Sequence, residues 1–207
     1  MELHEALARI SEIRAHVARV ETFRGFRAVT VAFSGLLTLV GAGWQAFRLP
    51  DVEHNIAGYL TLWIGIALVS LAVTGLEIGF RCHRAASPWT TRLTVMAVEQ
   101  FVPCVLTGAL MTFVLVLYAA QSLWMLPGLW SIVFGLGVFA ACRLLPRAIF
   151  WVAGYYVIAG AACLAFSQGA NAFSPWAMVG TFGVGQLAAA AILYFALERS
   201  HDPQPNR

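Results

Sequence analysis

Six long apolar runs divide the chain, at about 28–47, 56–80, 93–118, 123–141, 148–166 and 176–197, with short polar stretches between them. Each approaches the roughly 20 residues needed to cross about 30 Å of hydrocarbon at 1.5 Å of helical rise per residue. A backbone in lipid must satisfy its own hydrogen bonds, so each run predicts a helix. Strands of a closed barrel would alternate apolar and polar positions, and these runs do not. The expected fold is therefore all-α, a polytopic membrane protein with six transmembrane helices. Short connections make consecutive helices antiparallel neighbours, which predicts three antiparallel hairpins.

A different pattern precedes the first run. Residues 2–24 (ELHEALARISEIRAHVARVETFR) place Leu3, Ile10 and Val17 seven apart, and Ala6, Ile13 and Val20 likewise. Those are the a and d positions of a short heptad pattern on an amphipathic helix. Gly25 is a natural break after it. Three units follow: a cytoplasmic amphipathic helix over 1–25, a six-helix transmembrane domain over 26–198, and a disordered cytoplasmic tail over 199–207.

All thirteen basic residues are arginines, and their placement orients the chain. Five precede the first run, and Arg81, Arg84 and Arg92 lie between the second and third. Arg143 and Arg147 lie between the fourth and fifth, and Arg199 and Arg207 follow the sixth. Only Arg48 falls in one of the other connections. Cytoplasmic loops carry the Arg excess, so both termini are expected inside a bacterial cytoplasmic membrane. Trp44, Tyr59, Tyr118, Trp124 and Trp176 at one set of span ends, with Phe23, Trp89 and Trp151 at the other, fit an interfacial aromatic belt.

Composition agrees, with 60% hydrophobic and 11% charged residues. That is too little charge to cover a soluble surface. The net charge of +3 is shared among span ends. It reads as topology, and no nucleic-acid partner is expected. Cys82, Cys104, Cys142 and Cys163 form no CxxC pair and read as small hydrophobes.

Charge also bears on the N-terminal segment. Through Arg27 it holds five arginines against four glutamates, a net of +1. A helix bound to anionic lipid would carry a basic excess on its polar face. The mixed charge suits a protein partner or a second copy of the chain better.

Two further patterns concern packing. Pro127–Gly135 and Pro175–Gly183 each place proline eight residues before a glycine, and each continues as Gly-x-Gly. This suggests a repeated hairpin design. Ala177, Thr181, Gly185 and Ala189 lie four apart on one face, as do Ser131 and Gly135. Small residues let helices approach in lipid, and packing within the chain is the favoured role.

Glu77 and Glu99 are the acids inside apolar runs, where an ionisable group is costly unless paired or functional. Pro103 has no N–H to give the carbonyl of residue 99. Glu99 therefore offers a carboxylate and a freed carbonyl together, with Gln100 and Thr107 nearby. Glu77, Glu99, Gln100 and Pro103 make a candidate proton or cation site. Arg27, Arg81 and Arg92 are candidate charge partners, and simple pairing with them is the plainer reading.

No HExxH, GxSxG or Walker A pattern occurs, so the sequence points away from an enzyme and implies no metal or cofactor. Two functions stay open. One is a non-enzymatic sensor, scaffold or regulatory membrane protein with a cytoplasmic interaction helix at residues 2–24. The other is a small proton- or cation-coupled transporter or channel using Glu99 and Glu77.

Overall fold

The computed structural model describes residues 28–49, 51–52, 54–84, 88–142 and 146–198, and all regular structure within them is helical. The expected amphipathic helix with its Leu3, Ala6, Ile10, Ile13, Val17 and Val20, the tail after 198, and Arg27 lie outside these residues. So do the side chains of Arg81 and Arg92.

Six helices are long and apolar enough to cross a membrane. We label them α1 (Ala28–Arg48), α2 (Ile56–Arg84), α3 (Pro88–Tyr118), α4, α5 (Ile149–Phe166) and α6. In α4 a 3-10 turn, Ala120–Met125, leads into the α-helical part Leu126–Ala141. In α6 two π-helical turns, Val179–Gly183 and Tyr194–Glu198, flank the α-helical part Val184–Leu193 after a first turn Pro175–Met178. Both α2 and α3 run past the apolar stretches expected at 56–80 and 93–118. Backbone hydrogen bonding continues into the polar zone after hydrophobicity has ended.

Local chemistry sets the helix starts. Asn55 caps α2, its Oδ1 accepting from the Gly58 N–H at 3.0 Å. Proline stands in the first turn of the α-helical parts of α4 and α6, where its missing N–H costs nothing. Pro127 and Pro175 open their helices in the same way, yet the segments then diverge. The first continues as regular α-helix and the second widens into a π turn.

Glycine and serine decide the closest packing. A methyl group added at Gly160 would stand 2.7 Å from the Gly128 carbonyl oxygen, and one at Gly135 would stand 3.0 Å from that of Ala153. Between them Ser131 donates its hydroxyl to the Tyr156 carbonyl at 2.8 Å. These three contacts run down one antiparallel seam between α4 and α5. The packing role expected for Ser131 and Gly135 is met here.

On the other side α1 lies along α6, where Gly35 faces Leu187. On α6 Thr181 and Gly185 are buried, Ala177 and Ala189 half-buried. Cys104 donates to the Val133 carbonyl at 2.7 Å and Trp130 to the Thr112 hydroxyl at 2.8 Å, fastening α3 to α4. α2 and α3 touch only sparsely. The packing thus emphasises α4–α5 and α1–α6 over three sequential hairpins.

Two cores result. Tyr156, Val152, Ile149, Val138 and Leu193 fill the one nearer the arginine-rich ends. Tyr59, Trp63, Leu126, Phe173 and Met178 fill the other, under the 49–55 and 167–174 connections.

Candidate functional site

Both acids come from helices long and apolar enough to cross a membrane. From Ile56 to Glu77 is 21 residues, about 31 Å of helix, and from Tyr118 back to Glu99 is 19 residues, about 28 Å. Measured from the opposite ends, each reaches the limit of a hydrocarbon layer about 30 Å thick. The acids therefore lie at similar distances along their helices, near the arginine-rich ends.

Their surroundings differ. Glu99, Gln100, Pro103 and Thr107 are all exposed on α3. Pro103 is accommodated inside an uninterrupted helix. Glu77 is half-buried, and so are Ser70 and Thr74, seven and three residues before it on the same face of α2. Among the described residues no three His, Cys, Asp or Glu side chains converge on one point.

The most concentrated buried polar structure runs the length of α1, outside the candidate site expected from the sequence. Thr30, Ser34 and Thr38 are buried on one face of α1, and Gln45 continues that face with 1% exposure. The hydroxyls close on their own helix, Ser34 onto the Val31 carbonyl at 2.8 Å and Thr38 onto the Ser34 carbonyl at 3.0 Å. Their opposite face is apolar and exposed, with Val29, Phe33, Leu36 and Val40. α1 is thus polar inward and apolar outward. The four-residue spacing of 30, 34 and 38 was the available signal.

Gln45 uses both ends of its amide. Nε2 donates to the Phe173 carbonyl at 2.6 Å, and Oε1 accepts from the Trp63 indole at 2.9 Å. Phe173 has φ +60°, an uncommon conformation for a residue with a side chain. That twist turns its carbonyl to Gln45 while its ring packs edge-on against Tyr59, centroids 5.1 Å apart. Tyr59 is fully buried, and among the described residues its hydroxyl has no hydrogen-bond partner. It belongs to the core and not to the expected aromatic belt, because the 167–174 connection folds over it. Trp44, Tyr118, Trp176 and Trp151 are exposed, as belt residues should be.

Together Gln45, Trp63, Tyr59, Phe173 and Met178 make a plug that joins α1, α2 and α6 beneath the arginine-poor surface. Outside it the Asp51 carboxylate meets His54 at 2.9 Å, both side chains exposed. The His54 hydrogen bond holds the Asp51 carboxyl below its ordinary range.

A second polar feature sits mid-helix. In the π turn of α6 the Val184 N–H donates to the Val179 carbonyl, five residues back. The usual α-helical donor to Gly180 is thereby diverted, and Tyr155 on α5 donates its hydroxyl to the Gly180 carbonyl. Thr181 bonds the Ala177 carbonyl at 2.7 Å. Next to this, Tyr156 presses its ring against Gly185 and packs on Phe134 and Phe182.

No protein family, curated protein or solved structure matches this chain.

Proposed function

We propose that this is a non-enzymatic membrane protein of the sensor, scaffold or regulatory kind, working through protein contacts. In this reading it lies in a bacterial cytoplasmic membrane with both termini inside. Residues 2–24 form its cytoplasmic interaction helix, engaging a protein partner or a second copy.

The observation that carries the reading is the outward placement of Glu99 and Gln100. A coupling carboxylate has to face an interior route, since lipid offers no acceptor for the proton or ion. Two facts add support. The inward polar face of α1 spends its Ser34 and Thr38 hydroxyls on its own backbone. The arginine-poor end is closed by the Gln45 plug.

The transporter reading keeps one observation in its favour, the half-buried Ser70, Thr74 and Glu77 on one face of α2. Two experiments separate the readings. Affinity capture of the full chain and of a chain lacking residues 1–24 tests the interaction helix. Identical partners and oligomeric state in both would remove it. Proton or cation flux in liposomes tests transport. Flux through the native protein that is lost in Glu77→Gln or Glu99→Gln would replace the scaffold reading with the transporter one.

A further inference from the structure

Four observations along α6 bear on a single motion. The first is the π turn Val179–Gly183, which holds one residue more than an α-helix of the same rise. The second is that side chains occupy carbonyls in and just before that stretch, Tyr155 on Gly180 and Thr181 on Ala177. The third is that residues on the N-terminal side of the turn, Phe173 and Met178, are seated in the plug. The fourth is that residues on its C-terminal side, Gly185 and Leu193, pack against α5.

We infer that the π turn is a two-position switch in α6, latched by Tyr155, that seats and unseats the Gln45 plug. When the latch is closed, the surplus residue stays in the turn and Phe173 presents its carbonyl to Gln45. When Tyr155 releases Gly180, the turn reverts to α-helix and passes its extra residue toward the 167–174 connection. Every residue between that connection and Val179 then moves by one helical step, about 1.5 Å along the axis and about 100° around it. Met178 leaves the core and Phe173 leaves Gln45, while Val184–Leu193 keeps its place on α5. Register shifts of a helix against fixed neighbours are a known form of switching, because packed interfaces are bistable.

The switch goes beyond the scaffold reading and does not need it. It gives a sensor a moving part that joins the mid-membrane α5–α6 contact to the arginine-poor surface.

Hydrogen–deuterium exchange of the full chain in lipid nanodiscs tests it. A neutral hydrogen bond nets about 0.5–1.5 kcal/mol, so removing one shifts a two-state population by about 2- to 13-fold. Tyr155→Phe should speed exchange over residues 172–179 by that factor and leave 186–193 unchanged. Tyr156→Phe, whose hydroxyl has no partner among the described residues, should change neither segment. Deleting Gly180 removes the surplus residue itself. That variant makes the Val184–Val179 bond an ordinary α-helical one with Phe173 and Met178 still seated, so 172–179 should stay protected and adding Tyr155→Phe should not speed its exchange. Unchanged exchange in Tyr155→Phe, or equal acceleration of both segments, would overturn the switch. So would a Gly180 deletion in which Tyr155→Phe still speeds exchange over 172–179. None of these results depends on whether residues 1–24 bind a partner, so the switch and the scaffold reading fail separately.

Discussion

Trp63 on α2 donates its indole N–H to the side-chain oxygen of Gln45 on α1 at 2.9 Å, and neither group has water to fall back on, with exposures of 2% and 1%. Gln45 in turn holds the Phe173 carbonyl. Gln45→Leu keeps most of the volume but strands both the indole donor and the carbonyl. Each buried group left unsatisfied costs about 1–3 kcal/mol. A loss of about 2–5 kcal/mol is expected in detergent unfolding. Adding Trp63→Phe should cost less than it does alone, and additive losses would show that the two do not act as a unit.

Glycines offer a sharper contrast. The Gly160→Ala methyl would meet the Gly128 carbonyl at 2.7 Å and the Ile132 nitrogen at 3.0 Å, both backbone atoms. Overpacking of that kind costs about 1–3 kcal/mol. The Gly154→Ala methyl, on the same helix, meets only the Phe139 ring at 3.9 Å. That variant should be neutral, or stabilised by up to about 1 kcal/mol through helix propensity. Melting temperatures of the two variants beside the native chain decide the matter.

A matched pair on α3 tests the α3–α4 contact. Thr112→Val leaves the Trp130 indole without its acceptor and should cost about 1–2 kcal/mol. Thr107→Val, at an exposed position, should stay within about 0.5 kcal/mol. Equal losses in thermal unfolding would count against a role for the Trp130 bond.

The 49–55 connection has a pH signature. Hydrogen bonding from His54 depresses the Asp51 carboxyl, so the contact contributes above the ordinary aspartate range and is lost as pH falls through the lowered value. Both side chains are exposed, so the effect is local. In an NMR titration, Asp51 should move back up toward its ordinary value in His54→Ala. An unmoved Asp51 would remove His54 as the cause.

Some of this was legible in the amino acids. The number and rough extent of the helices, the buried role of Ser131, Thr181 and Gly185, and the exposed Trp44, Tyr118 and Trp176 follow from apolar length, small-residue spacing and interfacial chemistry. The inward polar face of α1 was legible in principle, through the four-residue spacing of Thr30, Ser34 and Thr38. The site at Glu77, Glu99, Gln100 and Pro103 was legible as a set of residue types. Which of them faces outward was not, since helical spacing gives relative angles and never the position of the neighbours.

The chain by itself determined six helices and their approximate extents, because a backbone in lipid must bond internally and about 20 apolar residues are needed to cross it. Those are local demands, answered by local composition. Tertiary structure alone decided that Tyr59 is core, that Gln45 reaches Phe173 from 128 residues away, and that α6 widens where Tyr155 meets Gly180. Each of these depends on two distant segments meeting at one depth. The apolar pattern is nearly the same all around such helices, so only packing distinguishes one face from another.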